Sequence, residues 1–144
     1  MTSNDPQIAL RMQQEIRLAE DDIVNAIQSA LDNKKHSPKK NQLEESQFRN
    51  LLRVSESTAS VEAIKNFLRY QVGRGGEDGA WGLGQNSLAE QIVYDIDNLL
   101  YKKAGEIANK TDPGWHNNIW LNLIRRYLGY GARHLKYRSV LKGK

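Results

Sequence analysis

The stretch WHNNIWLNLIRRYLGYGARHLKYR, residues 115–138, decides how the rest of the chain is read. On a helical wheel of about 100° per residue its side chains sort into two faces. Ile119, Trp120, Leu123, Ile124, Tyr127, Leu128, Tyr130, His134 and Leu135 gather on one. Arg125, Arg126, Arg133 and Lys136 share the other with Asn118 and Asn122, and the small residue among them is Gly129. The first face is expected to bury against a helical core. The second sets out cations in a row over roughly 15–20 Å, with nothing bulky at Gly129 to hold a polyanion away.

Upstream, Thr111-Asp112-Pro113 predicts the start of this helix, about 113–138, with Asp112 as cap and Pro113 in the first turn. Before it, Leu88, Ile92, Val93, Ile96, Leu99, Leu100, Ala104 and Ile107 recur at helical spacing. They predict a helix over 87–109 capped by Ser87, with Asp95 on its solvent side. Residues 73–84, GRGGEDGAWGLG, predict a glycine-rich loop between the third and fourth helices. The loop lacks the Gly-Lys-Ser/Thr ending of a phosphate-binding loop, and Glu77-Asp78 argues against an anion nest. Its lone Trp81 either packs back on the core, or contacts a base or a neighbouring subunit.

Two shorter helices precede the loop. Val61, Ile64, Phe67, Leu68 and Val72 define one over 60–72, with Arg69 projecting from its other side. Phe48, Leu51 and Leu52 define one over 44–55, with Arg49 and Arg53 four apart on an exposed face. Residues 33–41 hold four lysines and Pro38 without periodicity, and read as a basic linker. The first helix, 7–32, shows a narrow apolar seam from Ile8 to Leu31, with Asn4 or Asp5 to cap it and Pro6 in its first turn. Its acidic trio Glu20, Asp21 and Asp22 disfavours nucleic acid on that side. No alternating strand pattern occurs. The expectation is a single all-α domain over 1–144, a compact bundle of about five helices.

Charge is unevenly spread. Residues 1–33 carry two arginines against six acids, whereas residues 101–144 carry ten Lys and Arg against Glu106 and Asp112. Such a pole steers anionic partners at low salt, or simply keeps the chain soluble. Absent cysteines exclude disulfides and thiolate metal sites, and no apolar run suits a membrane span, so a cytoplasmic protein without membrane contact is expected. His36, His116 and His134 have no metal-ligand spacing, and no carboxylate pair looks buried, so neither metal, cofactor nor catalytic residue is expected. HEPN-class ribonucleases place His four to six residues after Arg on one helix. Here seven residues separate Arg126 from His134, which points inward. No base-reading motif is present, which favours contact with a nucleic-acid backbone over sequence reading.

Three segments resemble the small helical subunit of type III (Csm-type) CRISPR effector complexes. Residues 47–52, QFRNLL, are similar to that family's Gln-Leu-Arg-x-x-Leu helix opening. Residues 64–74, IKNFLRYQVGR, resemble its aromatic-x-x-Gly-Arg step through Tyr70, Gly73 and Arg74. Residues 123–138 resemble its closing helix through Ile124-Arg125-Arg126-Tyr127, Ala132, His134 and Lys136. Together they cover about a third of the chain. Two departures are the loop 75–84, which has no counterpart, and Arg133-His134, where the family has Tyr-His.

The resemblance implies a non-catalytic RNA-binding subunit in an antiviral ribonucleoprotein. Its partners would be guide RNA and target RNA, the backbone and large subunits, and other copies of itself. It adds Arg49, Arg69 and Arg74 to Arg125, Arg126, Arg133 and Lys136 as RNA-contact candidates. Arg74 has a second reading, as a cap on nearby helix carbonyls. The competing function is a dimerising adaptor with no RNA role; a helical ribonuclease ranks third.

Overall fold

The computed structural model describes residues 5–33, 45–76 and 79–142. Among these every regular element is helical: α1 (Pro6–Leu18), α2 (Glu20–Asp32), α3 (Glu45–Ser57), α4 (Val61–Gly75), α5 (Leu88–Asp95), α6 (Tyr101–Lys110) and α7 (His116–Lys142). A π-turn, Ile96–Leu100, joins α5 to α6, and a 3₁₀ turn, Pro113–Trp115, leads into α7. The seven helices form five rods, because α1 with α2, and α5 with α6, nearly continue one another. The all-α bundle expected from periodicity is therefore the architecture found.

Capping follows the side chains that the sequence supplies. Asp5, Ser60 and Ser87 each accept a backbone N–H from the first turn that they precede, and Asp112 caps the 3₁₀ turn through Gly114 N–H. Pro6 and Pro113 sit in first turns, where the missing donor costs nothing. The expected basic linker lies in residues outside those described, apart from Asn33.

Four expectations need correction. The helix over 7–32 breaks at Ala19, whose N–H is shared between the Glu15 and Ile16 carbonyls at 3.2 and 3.1 Å. The apolar seam serves two partners: Met12 and Ile16 of α1 bury beside α6, whereas Ile23, Ile27, Ala30 and Leu31 of α2 bury along α7. Helix α4 runs on to Gly75, so the loop loses its first residues to the helix, and Gly76, at φ +65°, ends it. Asp95 is buried, not solvent-facing. Seven residues after Leu88 and three after Ile92, it lies on the buried face, where the Tyr127 hydroxyl donates to it at 2.6 Å and the Gln91 amide at 3.0 Å. The helix over 87–109 is also interrupted by the π-turn. The Trp120 indole N–H donates to the Ile96 carbonyl there at 2.8 Å, tying the widened turn to α7.

Helix α7 is the central element, packed on α2, α3 and α6. Ile119, Leu121, Leu123, Ile124, Tyr127, Leu128, Ala132 and Leu135 are all buried, so its apolar surface wraps much of its girth. Helix α2 runs parallel to it: Glu20 meets Arg126 and Tyr130, and Asp32 meets His134. Helix α3 runs antiparallel: its last-turn Ser55 meets Arg125, and Phe48 near its start faces Gly131. A Cβ on Gly131 would lie 2.5 Å from Phe48 Cε1 and 2.9 Å from Ile27 Cγ1. The missing side chain is what lets three helices meet at this point.

Candidate nucleic-acid interface

Where α3 and α7 diverge toward solvent, they leave a groove of about 410 Å³. Arg49, Leu52 and Glu56 of α3 form one wall; Asn122, Arg125, Arg126, Gly129, Tyr130, Ala132 and Arg133 of α7 form the other. Nothing stands within 4 Å of where a Gly129 Cβ would be. Helical spacing explains the convergence: residues 122, 125, 126, 129 and 133 recur at three or four on α7, as 49, 52 and 56 do on α3. Four guanidinium groups border one open concavity, against a single carboxylate on its walls, Glu56.

The four are not equally free. Arg125 folds down: its Nε donates to the Ser55 carbonyl at 2.8 Å and its Nη2 to the Thr58 carbonyl at 3.0 Å. It thus caps the C-terminal end of α3 and ties that end to α7, where a cation also opposes the negative end of the helix dipole. The expectation that Arg125 stands on an open ridge is corrected accordingly. Arg126 reaches sideways, with Nε on Asn122 Oδ1 at 2.8 Å and Nη1 on Glu20 Oε2 at 2.9 Å. An acid expected to repel nucleic acid from a distant side is instead the partner of a groove arginine. Both side chains of that pair remain about 30% exposed, so water and ions reach it (31% for Arg126, 29% for Glu20).

Arg133 is exposed and lies over the Tyr130 ring, 5.5 Å from its centroid. Arg49 is 49% exposed and pairs with Glu45 one turn back, at 2.5 Å. An exposed pair of this kind is worth about 0–1 kcal/mol and yields readily to a phosphate. Lys136 is exposed one turn beyond Arg133, outside the groove lining.

The remaining candidates lie elsewhere. Arg69 and Arg74 are exposed on α4 and do not line the groove; the Arg74 guanidinium sits over the Tyr70 ring at 5.8 Å. Of the two readings of Trp81, packing on the core is the one found, and contact with a base or a neighbouring subunit is corrected. It is 2% exposed and stacks on Phe48, ring centroids 5.8 Å apart and planes 20° from parallel. It is core, with no face for a base. Among the described residues no group of His, Asp and Glu is placed to hold a metal. His134 Nε2 bonds Asp32 Oδ1 at 2.8 Å, so Arg126 and His134 are engaged at opposite ends of α2.

Tyr130, Glu20 and Glu56 were not among the expected site residues. Tyr130 counted as an inward residue by phase, but it lines the groove and its hydroxyl donates to Glu20. That hydrogen bond to a carboxylate, and then burial, raise the Tyr130 pKa. Phase alone shows that Glu56 follows Arg49 and Leu52 around α3. No local signal marks Glu20, which lies 106 residues from Arg126.

No known protein-family model matches this chain, and no curated protein or solved structure matches it either. Among the described residues no helix is long and apolar enough to cross a membrane.

Proposed function

We propose that the chain is a non-catalytic RNA-binding subunit that holds an RNA backbone in the α3/α7 groove without reading its sequence. The observation that carries this is the convergence of Arg49, Arg125, Arg126 and Arg133 on one concavity floored by Gly129. Guanidinium groups clamp phosphate through two donors, and such contacts fix a backbone in place while carrying no sequence information. The motif resemblance supports the small-subunit role in a type III CRISPR effector complex, beside backbone subunits that carry guide RNA paired with target RNA. Lys136 follows Arg133 one turn on along α7, and Arg69 and Arg74 are separate candidates on α4. With one small cluster of cations, a single copy binds weakly, at about micromolar or worse, and repeated copies along a strand strengthen it.

The test is fluorescence anisotropy with labelled single-stranded oligonucleotides of different sequence. Wild type is expected to bind all of them alike, with affinity falling steeply in salt, and Arg133→Glu to abolish binding with the melting temperature unchanged. Strong sequence preference, or full binding by Arg133→Glu, overturns the proposal. The adaptor reading has one feature in its favour, the exposed Leu10 and Leu18 on α1 (59% and 76%), and it predicts no RNA binding even at low salt.

A further inference from the structure

A carboxylate from outside the groove walls meets two of the groove's donors. Arg126 Nη1 and the Tyr130 hydroxyl, both on the α7 wall, converge on a single oxygen, Oε2 of Glu20. A carboxylate oxygen that accepts from a guanidinium and a hydroxyl occupies the position a phosphate oxygen would take from the same donors. Glu20 is the first residue of α2, immediately after the break at Ala19, and no side chain caps that helix start. Its neighbours Asp21 and Asp22 are exposed, and Asp22 pairs away from the groove with Lys103 at 2.7 Å. One of the three consecutive acids is thus directed at the groove's donors.

Resting on the RNA-backbone reading above, we propose that Glu20 is an intramolecular phosphate mimic: it occupies Arg126 and Tyr130 in the free protein and must be displaced before a phosphate of the RNA engages them. The contact is partly solvated, so the energy it holds back is small, and the exchange of carboxylate for phosphate is reversible. A full-affinity groove would stay charged with stray polyanions. A groove with a built-in competitor retains RNA only where several phosphates are held at once, as on a strand presented by neighbouring subunits.

The experiment compares three variants, each checked by thermal melt, for binding of a fluorescein-labelled 12-nucleotide oligouridylate at low salt. Glu20→Gln removes the competing charge. Asp21→Asn makes the same change of net charge on the adjacent residue. Glu20→Asp keeps the charge but shortens the reach, so that the carboxylate no longer meets both donors. Glu20→Gln is expected to bind about three- to tenfold more tightly than Asp21→Asn, and Glu20→Asp more tightly than wild type. Equal affinities for Glu20→Gln and Asp21→Asn, with Glu20→Asp matching wild type, overturn the competitor and leave the RNA-backbone reading standing. No binding by wild type or any variant overturns both.

Discussion

Substituting the two glycines of α7 one at a time tests the packing that creates the groove. Both lie inside a helix, where alanine is favoured over glycine by about 0.8–1.0 kcal/mol. At Gly129 the new methyl meets nothing within 4 Å, so Gly129→Ala should realise that gain. At Gly131 the same methyl would sit 2.5 and 2.6 Å from the Phe48 ring and 2.9 Å from Ile27, closer than carbon atoms approach. Phe48 cannot retreat freely, because its ring is fully buried and stacked on Trp81. Overpacking of this sort costs about 1–3 kcal/mol or more, which exceeds the propensity gain. The two variants should therefore differ by about 2 kcal/mol with opposite signs, or roughly 5–10 °C in melting temperature for a chain of this size. Urea denaturation followed by far-ultraviolet circular dichroism reads the difference. A Gly131→Ala variant as stable as Gly129→Ala would refute the three-helix contact, and with it the placement of α3 against α7.

Three further outcomes follow from individual contacts. Trp81→Ala should lower stability by about 3–5 kcal/mol, as expected for emptying a buried aromatic site, visible as an earlier urea midpoint. Arg125→Met should cost about 1–3 kcal/mol by releasing the Ser55 and Thr58 carbonyls, so it should move the urea midpoint where Arg133→Met does not. Burial first, and then the nearby Asp95, push the Tyr127 hydroxyl well above its ordinary value. Tyr127 is then neutral in both states below about pH 10, while above it the unfolded chain ionises first, so stability is intact below that point and declines as pH rises. Urea midpoints measured between pH 8 and 11 should fall for wild type and fall less for Tyr127→Phe.

How much of this was legible beforehand depended on whether the deciding contact was local. The caps Ser87 and Asp112 and the first-turn prolines are local, and spacing alone located them; Asp5 was one of two candidates with Asn4, and Ser60 caps a helix it was expected to belong to. Asp95 was misplaced although its phase was available, because a carboxylate reads as solvent-facing until a buried Tyr127 hydroxyl is known to face it. The break at Ala19 has no glycine or proline to announce it; it falls where the packing partner changes from α6 to α7. Periodicity put Arg125, Arg126 and Arg133 on one ridge, and three of the four groove arginines are indeed neighbours on α7. It did not show that Arg125 turns down onto α3 carbonyls or that Arg126 meets Glu20, since both depend on helices distant in sequence. Trp81 stayed open between core and surface because it sits among glycines, which say how the backbone bends and nothing of where the ring goes.

The central claim is that the groove's open arginines hold phosphates, and its most direct measure is the salt dependence of RNA binding by wild type against Gly129→Glu. The glutamate places a carboxylate over the groove floor, where no atom opposes its Cβ. For about three phosphates held on a single strand, log K should fall against log salt with a slope of about −2 in wild type. In Gly129→Glu the slope should approach zero and the affinity should drop at least tenfold, with a melting temperature no lower than wild type. An unaltered slope and affinity in the variant would mean that RNA, if bound at all, is held somewhere else.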